Sequence, residues 1–260
     1  MITPPSQCIG IATSGAEKLA DYFPTAAEPD FLPTEPPFTP DDQLLVDELR
    51  RRGHQVSAIV WGGETSRLAE QFDRLIVRFP WDYMDSDEQC QGFLSWLGML
   101  AATELVVENE PQVMLWLMDK RYLLDFVAVG VPIVPTQFMP VGEWSLVYFG
   151  GEYSHGVHKR PASGQIMVHA ERGGSLRFAD PPAVVRELGD RTAAAVPRAF
   201  AHRCGSSCRM PLYLRIDVIE TAAGGLLSEC ERVEPELFFR ARPGNAARFA
   251  RLIENGSISR

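Results

Sequence analysis

Cysteine is scarce in this chain: five residues in 260, an odd number. That excludes a disulfide-built scaffold, which needs many paired cysteines in a short chain. Only His202, Cys204 and Cys208 lie close enough in sequence to suggest a metal. A tetrahedral zinc site asks for four ligands, or three and a water, at set spacings, so the preferred reading of this stretch is a reduced loop. Long apolar runs are missing too. No stretch approaches the roughly 18 uninterrupted apolar residues of a membrane span, and Met1-Ile2-Thr3-Pro4-Pro5 lacks the basic-then-apolar pattern of a signal peptide. Beyond Arg50-Arg51-Arg52, clusters of Lys and Arg are likewise absent. Acidic residues outnumber Lys+Arg 34 to 25, a formal net charge of −9, which argues against nucleic acid and anionic lipid as partners. The expectation is a cytoplasmic protein that handles a small molecule, with no nucleic acid and no membrane.

The chain does contain enough apolar residues, 45%, for one large or two ordinary domains, which rules out wholesale disorder. Ile9 to Thr13 reads as a first strand. Pro24, Pro29, Pro33, Pro36, Pro37 and Pro40 make the next stretch too proline-rich for a helix or inner strand. Pro40-Asp41-Asp42 is a helix start with acids at the positive end of the dipole; Leu44, Leu45, Val46 and Leu49 supply its apolar face and Gly53 its stop. Gln55–Trp61 and Leu75–Val77 read as buried strands. A helix is predicted through Phe93, Leu94, Leu97 and Leu100, another from about Gln112 to Val129, and a closing strand at Pro132–Val134. Strands alternating with helices give an α/β domain with a mostly parallel sheet, whose ligands sit at the carboxyl ends of the strands. Pro80-Trp81-Asp82-Tyr83 follows its strand directly, so it is either a ligand edge or a cap on the sheet.

The second half is α+β. Trp144–Phe149 and Tyr153–Lys159 read as a hairpin about Gly150-Gly151, followed by a helix near Pro182–Ala201 and a second hairpin, Leu212–Ile219 and Leu226–Val233. Alternate residues share a strand face, so Arg215 and Asp217 point one way, and so do Glu229 and Glu231 on the partner strand. Clustered carboxylates without His or Cys are hard oxygen ligands suited to Mg²⁺ held with substrate phosphates. A solvated polar face fits the same pattern. Register decides between them.

Asp217, a glycine turn, and the pair Glu229-Cys230-Glu231 before Pro235 resemble the metal-binding end of an ATP-grasp ligase. Upstream, Gly142 to Leu146, Tyr153-Ser154-His155, Lys159 to Ala162 with Gly164, and Arg172-Gly173-Gly174 resemble the central strands and the loop before the long helix of that fold. In the first half, Asp41-Asp42, Arg78, Trp81-Asp82-Tyr83, Asn109, Trp116, Asp119 to Leu123, Gly130-Val131-Pro132 and Pro135-Thr136 are similar to a branch that includes the D-cycloserine-forming cyclo-ligase. More distantly, that branch is related to the ribosomal-protein glutamate ligases.

The resemblance implies a pre-ATP-grasp α/β domain over 1–136 and an ATP-grasp-like catalytic domain over 137–260. It implies a reaction in which ATP phosphorylates a carboxylate and an amine attacks the acylphosphate. Asp217, Glu229 and Glu231 would then hold Mg²⁺, and Arg215 would act in catalysis. Lys120, Lys159 and Glu143 would meet ATP, while Trp81, Asp82, Arg172 and Gly173 would meet the substrate.

One departure stands out. Between Pro135-Thr136 and Gly142-Glu143 there is only Gln137-Phe138-Met139-Pro140-Val141, where the family has a whole subdomain with a Val-Lys-Pro-like strand and a Gly-rich phosphate loop. The catalytic domain is therefore expected to be truncated. Either this sequence omits a segment of an ordinary ligase, or one jaw of the grasp is gone. In the second case the protein would bind nucleotide weakly, borrow a jaw from a partner subunit, or serve as a non-catalytic binding or assembly module, and the apolar surface left by the truncation could be covered by a second copy in a homodimer.

Overall fold

The computed structural model describes residues 5–15, 18, 38–135, 143–160, 175–221, 224–242 and 244–255. By internal contacts the chain forms two units, Met1–Leu115 with Val233–Gly256, and Trp116–Arg232 with Ser257–Arg260. The crossing at Leu115/Trp116 comes earlier than the division read at 136/137, which itself lies outside the described residues, and the chain returns to the first unit from Val233.

The first unit is built on four parallel strands in the order β2-β1-β3-β4: β1 Cys8–Thr13, β2 Gln55–Val60, β3 Arg74–Phe79 and β4 Val106–Val107. Helices α1 Pro40–Arg51, α2 Thr65–Gln71 and α3 Asp87–Leu100 are the crossovers that parallel pairing requires. β3 is buried along its whole length, as its continuous apolar run with two paired arginines predicts. The strand order reverses between β1 and β3, which creates a crevice at their carboxyl ends.

Helix α1 shows why the sequence starts it where it does. Thr39 Oγ1 accepts the Asp42 N–H at 3.0 Å, and Pro40 occupies the first turn, where no hydrogen bond is lost. The two acids read as dipole partners do more than that. Asp42 pairs with Arg78 at 2.8 Å, and Arg78 also donates to Pro235 O. Asp41 accepts from the backbone N–H of Phe239 and Arg240. Burial pushes the Asp41 carboxyl up, against those two backbone hydrogen bonds. The N-terminus of α1 thus anchors the returning segment, whose helix α7 (Asn245–Glu254) was not predicted; its Glu254 pairs with Arg52 at 2.7 Å.

The second unit is a five-stranded antiparallel sheet, β7-β6-β5-β8-β9, made of β5 Glu143–Phe149, β6 Glu152–Arg160, β7 Ser175–Phe178, β8 Tyr213–Thr221 and β9 Gly224–Glu231. One face is covered by α6, Ala183–Cys204. Two readings need correction here. The single helix expected over 112–129 is two, α4 Pro111–Leu117 and α5 Tyr122–Ala128, broken at the polar Asp119-Lys120-Arg121, where Asp119 caps the backbone N–H of Arg121 instead. Pro132–Val134 does not close the parallel sheet either. Ile133 bridges to Leu227 of β9, and β4 takes the outer place beside β3. Both hairpins and the long helix fall where the alternation and the glycine turns predict them. Among the described residues no helix is long and apolar enough to cross a membrane.

Helix α6 sits close on the sheet because position 189 is glycine. A methyl group there would stand well inside van der Waals contact with Leu146 Cδ1 and Tyr148 Oη. We therefore expect Gly189→Ala to lower stability by about 1–3 kcal/mol, overpacking outweighing the helix propensity gained. Gly98→Ala on the exposed side of α3, where nothing lies within 4 Å, should raise stability by up to about 1 kcal/mol. Urea unfolding of the two variants checks the pair of signs.

Candidate active site

The face of the second sheet turned away from α6 carries the polar cluster, and register assembles it. Ser145 lies opposite Asp217, and Asp217 opposite Glu229; one step along, Val147 lies opposite Arg215, and Arg215 opposite Glu231. Glu143 lies opposite Lys159. All these positions share one face. The β8–β9 ladder reaches this register through a bulge between Asp217 and Val218, in which Ser228 is the extra residue.

The carboxylate oxygens of Asp217, Glu229 and Glu231 lie within 4.8 Å of one another, Asp217 buried and the glutamates half-buried. Such closeness survives because cations stand among them. Arg215 pairs with Asp217 at 2.9 Å and Glu231 at 2.7 Å, and stands 4.0 Å from Glu229. Lys159 lies 3.6 Å from Asp217 and 4.0 Å from Glu143. Lys120, at the break between α4 and α5, pairs with Glu229. Ser145 Oγ donates to Asp217 Oδ1 at 2.6 Å. Three hard oxygen donors at this spacing fit a divalent cation of the magnesium type.

The electrostatics follow from burial and neighbours. Burial opposes ionisation of Asp217, but the charges of Arg215 and Lys159, with hydrogen bonds from Arg215 and Ser145, outweigh it and hold the carboxyl at about 2. Burial also works against the Arg215 charge, yet Asp217 and Glu231 raise its pKa above the ordinary value. Glu143 goes the other way: burial and the charge of Asp217 push it up, against Lys159 and a hydrogen bond from Ser228.

The first unit contributes a separate group at its sheet edge. Trp81 and Asp82 lie in a short 3-10 turn, Trp81–Met84, directly after β3. Asp82 Oδ1 receives the indole N–H of Trp61, just past β2, and Ser14 Oγ, just past β1, lies 2.9 Å from it. Trp81 packs on Phe79, ring centroids 4.1 Å apart.

Of the residues singled out from sequence, Arg215, Asp217, Glu229, Glu231, Lys159, Glu143 and Lys120 come together in the second unit. Trp81 and Asp82 sit just past β3 at the carboxyl edge of the sheet in the first, and Arg172 and Gly173 lie outside the described residues. Sequence reasoning missed Ser145, although its alternation with Glu143 along β5 signals it. It also missed Ser228, which no pattern marks, and the convergence of Ser14 and Trp61 on Asp82. Among the described residues, the only grouping of three potential metal ligands is Asp217, Glu229 and Glu231; His202, Cys204 and Cys208 form none.

A parallel α/β unit joined to a unit with an antiparallel sheet is the fold of solved ATP-grasp ligases, and the chain has that fold in shortened form. Only residues 136–142 stand between Pro135 and β5. Within the class it resembles D-cycloserine synthetase. Residues 23–109 match the family model of the D-cycloserine synthetase DcsG N-terminal domain. Over 110 residues the chain is 30% identical to the cycloserine biosynthesis protein DcsG of Streptomyces lavendulae, a match covering 42% of this chain and 35% of that protein. The match thus spans about a third of the curated relative's length. The crystal structure of D-cycloserine synthetase DcsG superposes with a TM-score of 0.67 at 18% identity, over 95% of this chain and 99% of that one. A D-alanine–D-alanine ligase from Bacillus anthracis follows at 0.59 and 11%, over 96% and 95%.

The Asp217 shift has a consequence for stability. Its folded-state value lies below the unfolded 3.8, so ionised Asp217 contributes stability above about pH 4 that is lost as pH falls toward 2. Glu143 has the opposite sign, its raised value costing stability wherever it is ionised. We expect Asp217→Asn to be destabilised at neutral pH, with a pH-dependent part of about 2 kcal/mol. The gap to wild type should close between pH 4 and 2 in urea unfolding midpoints. A gap that stays constant over that range would contradict the assignment.

Proposed function

We propose that the chain is an ATP- and magnesium-dependent carboxylate–amine ligase, forming a C–N bond through an acylphosphate on a small amino-acid or peptide-like substrate. The observation that carries this is the single polar face on which Asp217, Glu229 and Glu231 stand within 4.8 Å, threaded by Arg215 and Lys159. In support, proteins of the same fold have been solved with ATP, a D-alanine–D-alanine ligase, and with Mg and ADP, the ATP-grasp ligase PsnB.

Asp217, Glu229 and Glu231 would hold Mg²⁺, which when bound offsets phosphate charge during transfer. Lys159 would present its ammonium to the nucleotide phosphates from between Glu143 and Asp217, and Glu143 would border the nucleotide. Lys120 would leave Glu229 to join it. A substrate carboxylate oxygen attacks the γ-phosphorus and ADP departs. The amine nitrogen then attacks the acyl carbon, loses a proton, and phosphate leaves. The Arg215 fork matches the transferred phosphoryl group and the oxyanion of the tetrahedral intermediate. The first unit would take the pre-ATP-grasp role, with Trp81 and Asp82 on the substrate; Arg172 and Gly173 complete the substrate set in this reading.

A second reading is favoured by one observation, the seven residues 136–142 standing where the family has a subdomain. Without that jaw the chain would be a nucleotide-binding or assembly module with no turnover. A homodimer, in which a second copy covers the apolar surface that a shortened grasp leaves, is part of the proposal, and a monomeric mass by light scattering at micromolar concentration would remove it.

Calorimetric titration of ATP with and without Mg²⁺ tests the reading. We expect Mg²⁺-dependent binding that weakens at least tenfold, about 1.4 kcal/mol, in Glu229→Gln. Binding indifferent to Mg²⁺ and to the substitution would reject the carboxylate face as the site. Binding without ADP release across an amino-acid and amine panel would favour the module.

A further inference from the structure

We infer that Tyr122 is a positioning residue for the carboxylates of β9: its phenol oxygen pins the backbone between Glu229 and Glu231, which sets both side chains beside Asp217. For the role of those carboxylates the inference rests on the ligase reading above.

β9 is the outermost strand of its sheet, held by a ladder to β8 alone. The outward N–H groups of such a strand need partners from elsewhere. Leu227 finds one in Pro132 O, and Cys230 in the Tyr122 hydroxyl, each at 2.9 Å. In a regular strand outward N–H groups recur at every second residue. These stand three apart because the bulge at Ser228 lies between them. A bulge interrupts the ladder and bends its strand. The segment beyond it carries both glutamates, and it is the part of β9 that most needs a second support.

Tyr122 supplies it. The residue is 1% exposed, and its ring stands edge-on to Trp116 and Phe126, with centroids 6.0 and 6.1 Å away. Trp116 is in turn fixed by Phe200 of α6, at 5.7 Å, and by its indole N–H on Asp125 Oδ2, at 2.8 Å. The phenol oxygen thus stands on an aromatic block drawn from α4, α5 and α6. Cys230 is buried as well, so water does not replace the phenol there, and an unpaired N–H is costly. A strand without that acceptor shifts to find another, and the peptide that shifts lies between the two glutamates. A magnesium-type ion demands short bonds in near-octahedral array, and groups that orient its ligands are typically worth about 10- to 100-fold in affinity. Buried and turned on a backbone N–H, Tyr122 acts through the strand and is not a catalytic residue.

Calorimetry and amide exchange on the full chain test this with Tyr122→Phe, which keeps the ring and removes the acceptor. We expect its affinity for Mg·ATP to fall about tenfold, while its affinity for ATP without Mg²⁺ stays as in wild type. Exchange of the Cys230 amide, read by NMR on ¹⁵N-labelled protein, should quicken. By linkage, Mg·ATP should slow that exchange in wild type by about the same factor of ten. Phe200→Leu, a buried change at the back of the aromatic block, separates positioning from mere loosening. It should lower the urea midpoint and leave Mg·ATP affinity unchanged. Mg·ATP affinity unchanged in Tyr122→Phe, an equal loss in Phe200→Leu, or an equal loss without Mg²⁺ would overturn the inference. Should Tyr122→Phe fail to fold, the wild-type exchange decides alone, and a Cys230 amide indifferent to Mg·ATP overturns it. A wild type whose ATP binding ignores Mg²⁺ fails the ligase reading, and the metal role of Tyr122 with it. Mg²⁺-dependent wild-type binding that survives intact in Tyr122→Phe fails the inference alone.

Discussion

The chemistry of this protein depends on one extra residue in one strand. Side chains alternate across a sheet, so a slip of a single position sends each of them to the opposite face. Leu227 lies opposite Val218 against α6, and continuing that ladder without a bulge would set Ser228 against Asp217 and Glu229 against Ile216, in the apolar layer. The bulge at Ser228 absorbs one residue, and from there Glu229 and Glu231 face Asp217 and Arg215 while Cys230 turns inward beside Ile216. Burial then raises the Cys230 thiol to about 12, fitting a core side chain with no role in the polar face. The same bulge brings Ser228 to Glu143, so one local irregularity joins β5, β8 and β9 into a single site.

Three carboxylates so close together repel each other, and the fold meets that repulsion with cations of two kinds. Arg215 and Lys159 are built into strands and largely buried, and they keep Asp217 ionised. Lys120 is exposed and stands at the break between two helices, paired with Glu229. An internal cation holds the cluster together in the absence of ligand. The proposed metal and nucleotide would exchange with it, in a protein whose overall negative charge opposes polyanion binding.

The first unit uses charge differently. Asp41 and Asp42 occupy the first turn of α1, where any acid is favourable, but their partners are Arg78, Arg240 and the backbone of residues 239–240. These contacts tie the returning C-terminal segment to the unit. At the same carboxyl end of the sheet, just past β3, Ser14 and Trp61 hold Asp82 in one orientation. Both arrangements take their geometry from strands and helix ends.

Much of this was legible in the sequence. Buried parallel strands show as continuous apolar runs, and the hairpins show as alternation about Gly150-Gly151 and Gly224-Gly225, because those patterns are local. Arg215, Asp217, Glu229 and Glu231 could be paired by strand face, and the order of motifs pointed to the ATP-grasp fold before any coordinate did. What remained undecided was everything nonlocal. Residues 112–129 have the apolar content of one helix, and only the pairing of Asp119 with its own neighbours breaks it. Pro132–Val134 has the composition of a sheet strand, and its partner was settled by β9 in the second unit. The sequence by itself determined which residue types stand on which side of each strand. The tertiary structure alone decided the register, since a bulge costs one residue and leaves no signature, and it decided which of several acids share a face with which cations.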